Sequence, residues 1–533
     1  MENCYWLRLR SHYHGTPSAV KKRSIATGGL YWSGGCNPLQ LPLQTKTRET
    51  RMTYSRWITE ERAQQSSRTF ASVNQAIESD RGRILFSSPF RRLQNKAQVF
   101  SLEGNAAVRS RLTHSLEVAH IGRYIAQEVL SRFEKGSKLS EIGLLDRQSA
   151  FVTLVENACL LHDIGNPPFG HFGEAAIRAW FGGAGRKAFC EATGLSEKEA
   201  YFDGEYQDFL RFDGNAQGFR IITRLQGEDG TTGLNLTFSQ LASYLKYVTL
   251  PQDVNGELRI CKKPGYFNTE ADIVDKIRAV FSLGAWQRFP LAALMEAADD
   301  IAYCLSDIED GIEKRLITFD EFICAVHSTA AETVGTDPLN AELQSLLASL
   351  EDGRLSKFVQ VRTRVFNHAV QHVAQRFVEH HDAICAGEHV ELIEPKCALE
   401  RLFSAIRKNV ARRVYSSPEA EHVELAGNAV VYGLLENFAR ILRLPAEQAK
   451  AVLEDDVEFC KRHHLDLEMR LAHMLPDAAL RAYRAIPHGN TEAIAEWHAR
   501  AHLILDYICG MTDNFALKTF QLLSGIRVGE GNG

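Results

Sequence analysis

The 533-residue chain is 45% hydrophobic and 24% charged, with 38 Gly and 15 Pro, which excludes a disordered, collagenous or coiled-coil protein. Its 61 Lys+Arg against 66 Asp+Glu leave a formal net charge of −5, which argues against a wholesale nucleic-acid coat while allowing a local basic groove. The 11 cysteines, from Cys4 to Cys509, form no C-x-x-C pair, and no apolar run reaches the ~18–20 residues that span a bilayer. Free thiols in a reducing cytoplasm, and no membrane segment, are the expectation.

The charge divides unevenly along the chain. Residues 1–51 carry eight Lys/Arg (Arg8, Arg10, Lys21, Lys22, Arg23, Lys46, Arg48 and Arg51) against Glu2 and Glu49, a net +6. That leaves 53 basic and 64 acidic residues, a net of −11, for 52–533. Gly28-Gly29 and Gly34-Gly35 interrupt any helical period, so 1–51 reads as a basic, disordered extension.

From Trp57 onward helical signals dominate, and the fold class expected is all-α. A period runs from His114 through Leu116, Ala119, His120 and Arg123, and Val152–Leu161 is an apolar helix ending near Gly165. Leu291–Ile312, Leu392–Val414, Val423–Leu442 and Leu467–Ile486 read as further long helices. Gly182–Gly185 and Gln226–Gly233 read as loops. Glu257–Cys261, before Lys262-Lys263-Pro264-Gly265, is the one strand candidate, expected as a small β-hairpin insertion. Within 52–533 the division expected is a core bearing the candidate site over about 105–315 and a C-terminal helical region over about 316–533.

The most informative stretch follows the apolar helix: His162-Asp163-Ile-Gly165-Asn-Pro-Pro-Phe-Gly170-His171-Phe-Gly-Glu174. An unpaired imidazole or carboxylate at the end of an apolar helix is costly. With His114 upstream in Arg111-Leu-Thr-His114-Ser and Asp299-Asp300 downstream, His162-Asp163 completes an H…HD…D set. Two imidazoles and two carboxylates suit a borderline-to-hard divalent ion, Mg²⁺ or Mn²⁺, with Fe²⁺ as a further option.

That pattern resembles the HD-domain metal-dependent phosphohydrolases, and within them the deoxyguanosine triphosphate triphosphohydrolase (dGTPase) family of bacteria. The likeness also rests on Asp80-Arg-Gly-Arg83, Ser87-Ser-Pro-Phe-Arg91-Arg92, Gln98-Val-Phe, Gly214-Asn215-Ala-Gln-Gly, Glu296-Ala-Ala-Asp299-Asp300-Ile-Ala-Tyr303 and Asp506-Tyr-Ile-Cys-Gly-Met-Thr-Asp513. It extends from about Thr53 to the C-terminus.

The resemblance implies hydrolysis of dGTP, or of other dNTPs, at the α-phosphorus to deoxynucleoside and tripolyphosphate. It gives Asp299 rather than Asp300 as the fourth metal ligand, because Asp299, Tyr303 and Asp307 then share one helix face. It implies acid/base work for His171, oriented by Glu174, although a bare helix cap would also place a histidine there. Arg111, Asn215, Lys246, Tyr247 and Lys263 are implied on the phosphate side, where the polyanionic product needs cations around it. Gln98, Tyr303 and Asp307 are implied at the sugar, and Glu424 and Arg470 at guanine. Without the resemblance, Lys246, Lys263, Glu424 and Arg470 read as surface side chains. A homo-oligomer, hexameric by resemblance, and single-stranded DNA are the implied partners. Arg407-Lys408, Arg412-Arg413 and Lys461-Arg462-His463-His464 are the basic clusters available for DNA. Two other readings remain open: an HD-domain 5′-nucleotidase or phosphodiesterase, and a nucleotide-sensing protein that binds single-stranded DNA.

Overall fold

The computed structural model describes residues 53–227, 232–256, 258–324, 357–484 and 493–526; the extension expected over 1–51 lies outside the described residues. The all-α expectation holds. The site is framed by α1 (Val73–Leu85), α2 (Arg111–Lys135), α3 (Gln148–Leu161), α4 (Gly170–Trp180), α5 (Gly214–Arg224), α6 (Phe238–Tyr244) and α7 (Pro290–Glu313). Behind these come α8 (Lys357–Glu379), α9 (Ala398–Val410), α10 (Pro418–Leu442), α11 (Ala493–Cys509) and α12 (Asp513–Leu523).

At the centre of the first core is α3, in which every residue from Ala150 to Leu161 is buried. It therefore shows an unbroken apolar run rather than an amphipathic stripe. Helices α1, α2, α6 and α7 pack around it, and α8 packs against α2 and α7. A reciprocal capping box starts α2: Ser110 Oγ accepts from Thr113 N at 3.3 Å, and Thr113 Oγ1 accepts from Ser110 N at 3.0 Å. This fixes the first turn, from which Arg111 and His114 point inward.

A second core joins α4 to the C-terminal helices. Trp180, Phe181, Tyr206, Phe209 and Trp497 form its aromatic centre, with Phe181 and Phe209 stacked at 4.6 Å. Helix α10 runs along α4, with α12 packed beside it. Asp80 of the Asp-Arg-Gly-Arg motif is fully buried, paired with Arg62 at 2.5 Å and accepting from Thr237 N and Oγ1.

Several local expectations are corrected. The β-hairpin is absent: among the described residues only three isolated bridges occur, Arg62–Thr237, Ala97–Ser110 and Thr249–Pro264. Arg259–Cys261 is a 3-10 turn, with Arg259 drawn onto α7 by Glu296 and Asp300, while Glu257 lies outside the described residues. Pro264 has no N–H with which to extend a ladder. Phe181–Gly185 is a π-helical turn running on from α4 rather than a loop, because Phe181 is held in the aromatic core. Leu467–Ile486 is not one helix; Asp466–Ala472 and Asp477–Arg484 are separated at Pro476.

Candidate metal and catalytic site

The apolar α3 delivers its C-cap, His162, and then Asp163 into a pocket closed by α2 and α7. Nδ1 of His162 lies 2.7 Å from the carbonyl oxygen of Cys159. A carbonyl only accepts, so Nδ1 carries the proton and Nε2 presents its lone pair. That Nε2 lies 3.6 Å from Asp163 Oδ1 and 3.6 Å from Asp299 Oδ1. His114 Nε2 is also 3.6 Å from Asp299 Oδ1, and its ring meets that of His162 edge-on at 5.3 Å.

Both nitrogens of His114 and Nε2 of His162 are buried without a hydrogen-bond partner. Leaving such a group unsatisfied costs about 1–3 kcal/mol. His114, His162 and Asp163 each bring a ligand atom within 4.8 Å of the others, and Asp299 adds a fourth donor. Two neutral imidazoles facing two carboxylates fit a divalent ion.

The electrostatics agree. Burial alone would raise Asp163, but Arg111 and the two histidines lower it to about 2. Asp299 is held well below the usual carboxylate range, against burial, by Lys246, His162 and His114. Burial disfavours charge on His114, yet Asp299, Asp163 and Asp307 together raise its pKa. Asp300 turns away and pairs with Arg259 at 2.5 Å.

The turn after Asp163 leads to His171. Phe169 and Gly170 both have left-handed backbones, φ 61° and 54°. For Phe169 that conformation costs roughly 1–2 kcal/mol. Gly427 of α10 lets the Phe169 ring settle, since a Cβ there would stand 2.6 Å from Phe169 Cβ. His171 falls in the first turn of α4, two-thirds exposed, and its Nδ1 bonds Glu174 Oε2 at 3.0 Å. Glu174 is buried, and its Oε1 accepts from Gly214 N at 2.8 Å. Burial would raise its pKa, but His171, Lys263 and Arg178 hold it below the ordinary range. The carboxylate thus keeps the proton of His171 on Nδ1 and leaves Nε2 with the free lone pair.

An HD domain family model matches residues 111–200, the stretch that supplies His114, His162, Asp163, His171 and Glu174. The chain is 37% identical over 488 residues to a deoxyguanosinetriphosphate triphosphohydrolase of Yersinia enterocolitica, covering 85% of this chain and 94% of the relative. Proteins of that name from Yersinia pseudotuberculosis and Yersinia pestis are 36% identical over the same shares. The chain belongs to the deoxyguanosinetriphosphate triphosphohydrolase family.

Around this family's metal pocket, the structure pairs each expected phosphate-side cation with an acid. Arg111 Nη1 donates to Asp163 Oδ2 at 2.6 Å, and Lys246 Nζ meets Asp299 Oδ2 at 3.1 Å. Lys263 Nζ lies 3.1 Å from Asp213 Oδ2. Asp213 caps α5 and also holds Asn215 Nδ2 at 2.6 Å, so Lys263 and Asn215 share one anchor beside Gly214 and Glu174. Tyr247 is buried, with Lys246 Nζ 5.9 Å from its ring centre. Gln98 Oε1 is buried without a hydrogen-bond partner.

Tyr303 and Asp307 are joined through a residue that sequence reasoning missed. Tyr303 and Tyr415 share a hydroxyl contact of 2.6 Å, and Tyr415 donates to Asp307 Oδ2. Burial raises Asp307 to about 7. Tyr415 ends a π-helical turn, Ala411–Tyr415, after α9, a feature with no signature in sequence.

The two guanine candidates are not brought together. Glu424, half-buried near the start of α10, is raised to about 7 by burial and Glu421. Arg470 is exposed on Asp466–Ala472, whose Glu468 pairs with Arg440. Arg440 stands 16 residues beyond Glu424 on α10, roughly 24 Å at the helical rise. Of the basic clusters, Arg407 is tied to Glu400 and Arg413 to Glu321; Lys461 and Arg462 are exposed, and the side chain of Arg412 lies outside the described residues.

Proposed function

We propose that the chain hydrolyses dGTP, with other deoxynucleoside triphosphates as further substrates, to deoxynucleoside and tripolyphosphate by water attack at the α-phosphorus. One observation carries the reading: a partly buried N₂O₂ pocket with unpartnered imidazole nitrogens, followed within one turn of chain by a histidine whose tautomer is set by a buried carboxylate. His114, His162, Asp163 and Asp299 would hold Mg²⁺ or Mn²⁺, with Fe²⁺ as an alternative. Bound there, the ion supplies Lewis-acid polarisation of a phosphoryl oxygen and makes a water more acidic.

The chain's own residues do the rest. Arg111, Lys246, Lys263 and Asn215 bind and orient the triphosphate, with Tyr247 walling the pocket. His171 Nε2 moves the proton exchanged at the α-phosphorus, and Glu174 keeps the ring in register and supports positive charge on it. As the bond to the 5′-oxygen breaks, that oxygen leaves as the nucleoside hydroxyl and the water oxygen stays on tripolyphosphate. Gln98 and the Tyr303–Tyr415–Asp307 chain face the sugar, and the Tyr303 ring excludes a 2′-hydroxyl. Glu424 reads the guanine edge. Arg470 belongs to the base site only as a more distant contributor.

The deciding experiment incubates the protein with each dNTP and GTP, with Mn²⁺ or Mg²⁺, and resolves the products. Tripolyphosphate from dGTP supports the proposal, and its absence from every dNTP refutes it. Orthophosphate or pyrophosphate points to a 5′-nucleotidase or phosphodiesterase, and binding without turnover to a nucleotide sensor. A homo-oligomer is proposed on Leu425 and Tyr432 of α10 with Phe515 and Leu522 of α12. These are exposed apolar residues at seven-residue spacing on two helices that pack together. Sedimentation at a single monomeric mass would refute it. No helix of the described residues is long and apolar enough to cross a membrane. The nine free cysteines among them suit the cytoplasm, which localisation of a tagged chain would test. Single-stranded DNA is proposed to meet the exposed Lys461-Arg462 cluster; salt-independent or absent retention would exclude that.

A further inference from the structure

The turn that carries His171 is held from the far end of the chain. Asp513, the first residue of α12, is almost fully buried, and its two carboxylate oxygens bond two backbone amides. Oδ1 accepts from Phe169 N at 3.0 Å, and Oδ2 accepts from Ala97 N at 3.0 Å. Lys96, also buried, completes the arrangement: its Nζ donates to Asn166 O at 2.6 Å and to Cys509 O at 2.7 Å. Asn166 in turn donates through Nδ2 to Asp163 Oδ1 at 2.6 Å. Residues 96–97 are themselves fixed to the start of α2, since Arg111 N donates to Lys96 O at 2.9 Å.

Phe169 is a bulky residue held at φ 61°, two positions before His171. A non-glycine residue keeps that conformation only where its surroundings over-determine it. The amide that Asp513 accepts from is the amide of this strained residue. Asp506, seven residues before Asp513, grips Arg220 through both oxygens at 2.9–3.0 Å, which fixes α11 against α5. The chain just before Asp513 is thus anchored to α5.

We propose that Asp513, with Lys96, is a positioning residue for the reaction. The pair clamps residues 166–170 in the strained turn that aims His171, so the C-terminal segment sets the turnover rate without touching substrate. This rests on the acid/base reading of His171.

The test compares Asp513→Ala, Asp513→Asn and Lys96→Met with His171→Ala in the full-length, metal-loaded protein. Measurements are kcat, KM for dGTP, metal content and thermal stability. Asp513→Ala is expected to lower kcat about 10²-fold, the scale of a misplacement of roughly 1 Å, with KM and metal stoichiometry unchanged. Asp513→Asn, which keeps one acceptor oxygen, falls between it and the unmodified protein; Lys96→Met lowers kcat in the same direction. In the His171→Ala background, Asp513→Ala is expected to have no further effect on kcat, because the two act as a unit.

Lower thermal stability with unchanged kcat would make Asp513 merely structural and overturn the proposal. So would an undiminished effect of Asp513→Ala in the His171→Ala background. If Asp513→Ala does not fold, Asp513→Asn and Lys96→Met carry the same comparison. Full turnover by His171→Ala would overturn the acid/base reading and this proposal together. An inactive His171→Ala beside a fully active Asp513→Ala would overturn this proposal alone.

Discussion

Glu174→Gln isolates the role of one carboxylate without changing its shape. Glu174 makes two bonds that differ in freedom: Oε1 receives Gly214 N at 2.8 Å, and Oε2 receives His171 Nδ1 at 3.0 Å. The Gly214 donor is a backbone amide at the start of α5 and cannot change its chemistry. The imidazole can, by moving its proton from Nδ1 to Nε2. A glutamine therefore keeps its oxygen on Gly214 and presents its NH₂ to His171, which must then accept at Nδ1 and carry its proton on Nε2. In that tautomer Nε2 has no lone pair to act as a base, and as a neutral N–H it is a poor acid. The whole acid/base contribution is expected to be lost, about 10²–10⁴-fold in kcat, or about 2.7–5.4 kcal/mol of barrier at 1.36 kcal/mol per decade. Single-turnover release of tripolyphosphate at saturating dGTP measures it. Metal content and KM should be unchanged, since Glu174 belongs to neither set. A Glu174→Gln protein that keeps kcat within about threefold of the parent, with metal bound, would refute the reasoning.

Three further outcomes follow from the same geometry. Mn²⁺ at about 100 times its Kd should stabilise the protein by about 2.7 kcal/mol, and His162→Ala or Asp299→Ala should abolish that gain in thermal unfolding; an equal gain in either variant would remove the pocket from metal binding. Gly165→Ala should cost about 1–3 kcal/mol, because the new Cβ would lie 2.1 Å from Gly214 O and 2.1 Å from Gly218 N, both backbone. It should also lower kcat by displacing Gly214 from Glu174, and an alanine variant with unaltered urea midpoint and turnover would contradict the packing. Glu424 is raised to about 7, so its carboxyl is neutral and a poor acceptor below that pH and ionised above it. KM for dGTP should accordingly fall as pH rises through about 7, and Glu424→Gln should flatten the profile; a parent KM that is constant from pH 6 to pH 8 would remove Glu424 from base recognition.

What the sequence made legible, and what it hid, divides along physical lines. His162 and Asp163 stood out because polar residues terminate a helix buried on all sides, a pattern that burial energetics penalises unless something uses the groups. The choice between Asp299 and Asp300 came from the family resemblance, whose register sets Asp299, Tyr303 and Asp307 on one helix face, and the structure turns Asp299 to the imidazoles and Asp300 to Arg259. Tyr415 could not be found, since it reaches Asp307 across 108 positions from a π-turn that no local pattern announces. Lys96 was equally silent, one lysine among many until the fold buries it between two carbonyls. The hairpin failed because Arg259 is held by acids on α7, a tertiary pull that strand propensity does not contain. The place of Arg470 was hidden for a similar reason: Pro476 breaks the expected long helix, and the short helix before it docks through Glu468 onto Arg440, near the end of α10.

The charge of residues 52–533 acquires a meaning in the site. A body at −11 that handles a polyanion needs concentrated cations, and the structure holds Arg111, Lys246 and Lys263 there. Each is paired with a carboxylate, and two of those partners, Asp163 and Asp299, are the proposed metal donors. Without such pairing, buried like charges would repel one another and the two acids would be driven toward protonation. The pairs therefore keep the acids ionised and the cations in place while no ligand is bound. A divalent ion between Asp163 and Asp299 would draw on the same carboxylate charge that now holds Arg111 and Lys246, leaving both cations more available to phosphate. Metal and triphosphate binding would then be coupled through two shared carboxylates, and by linkage each would strengthen the other to the same degree. Lys263, anchored by Asp213 outside the proposed metal set, would stand apart from that exchange and hold phosphate whether or not the ion is bound.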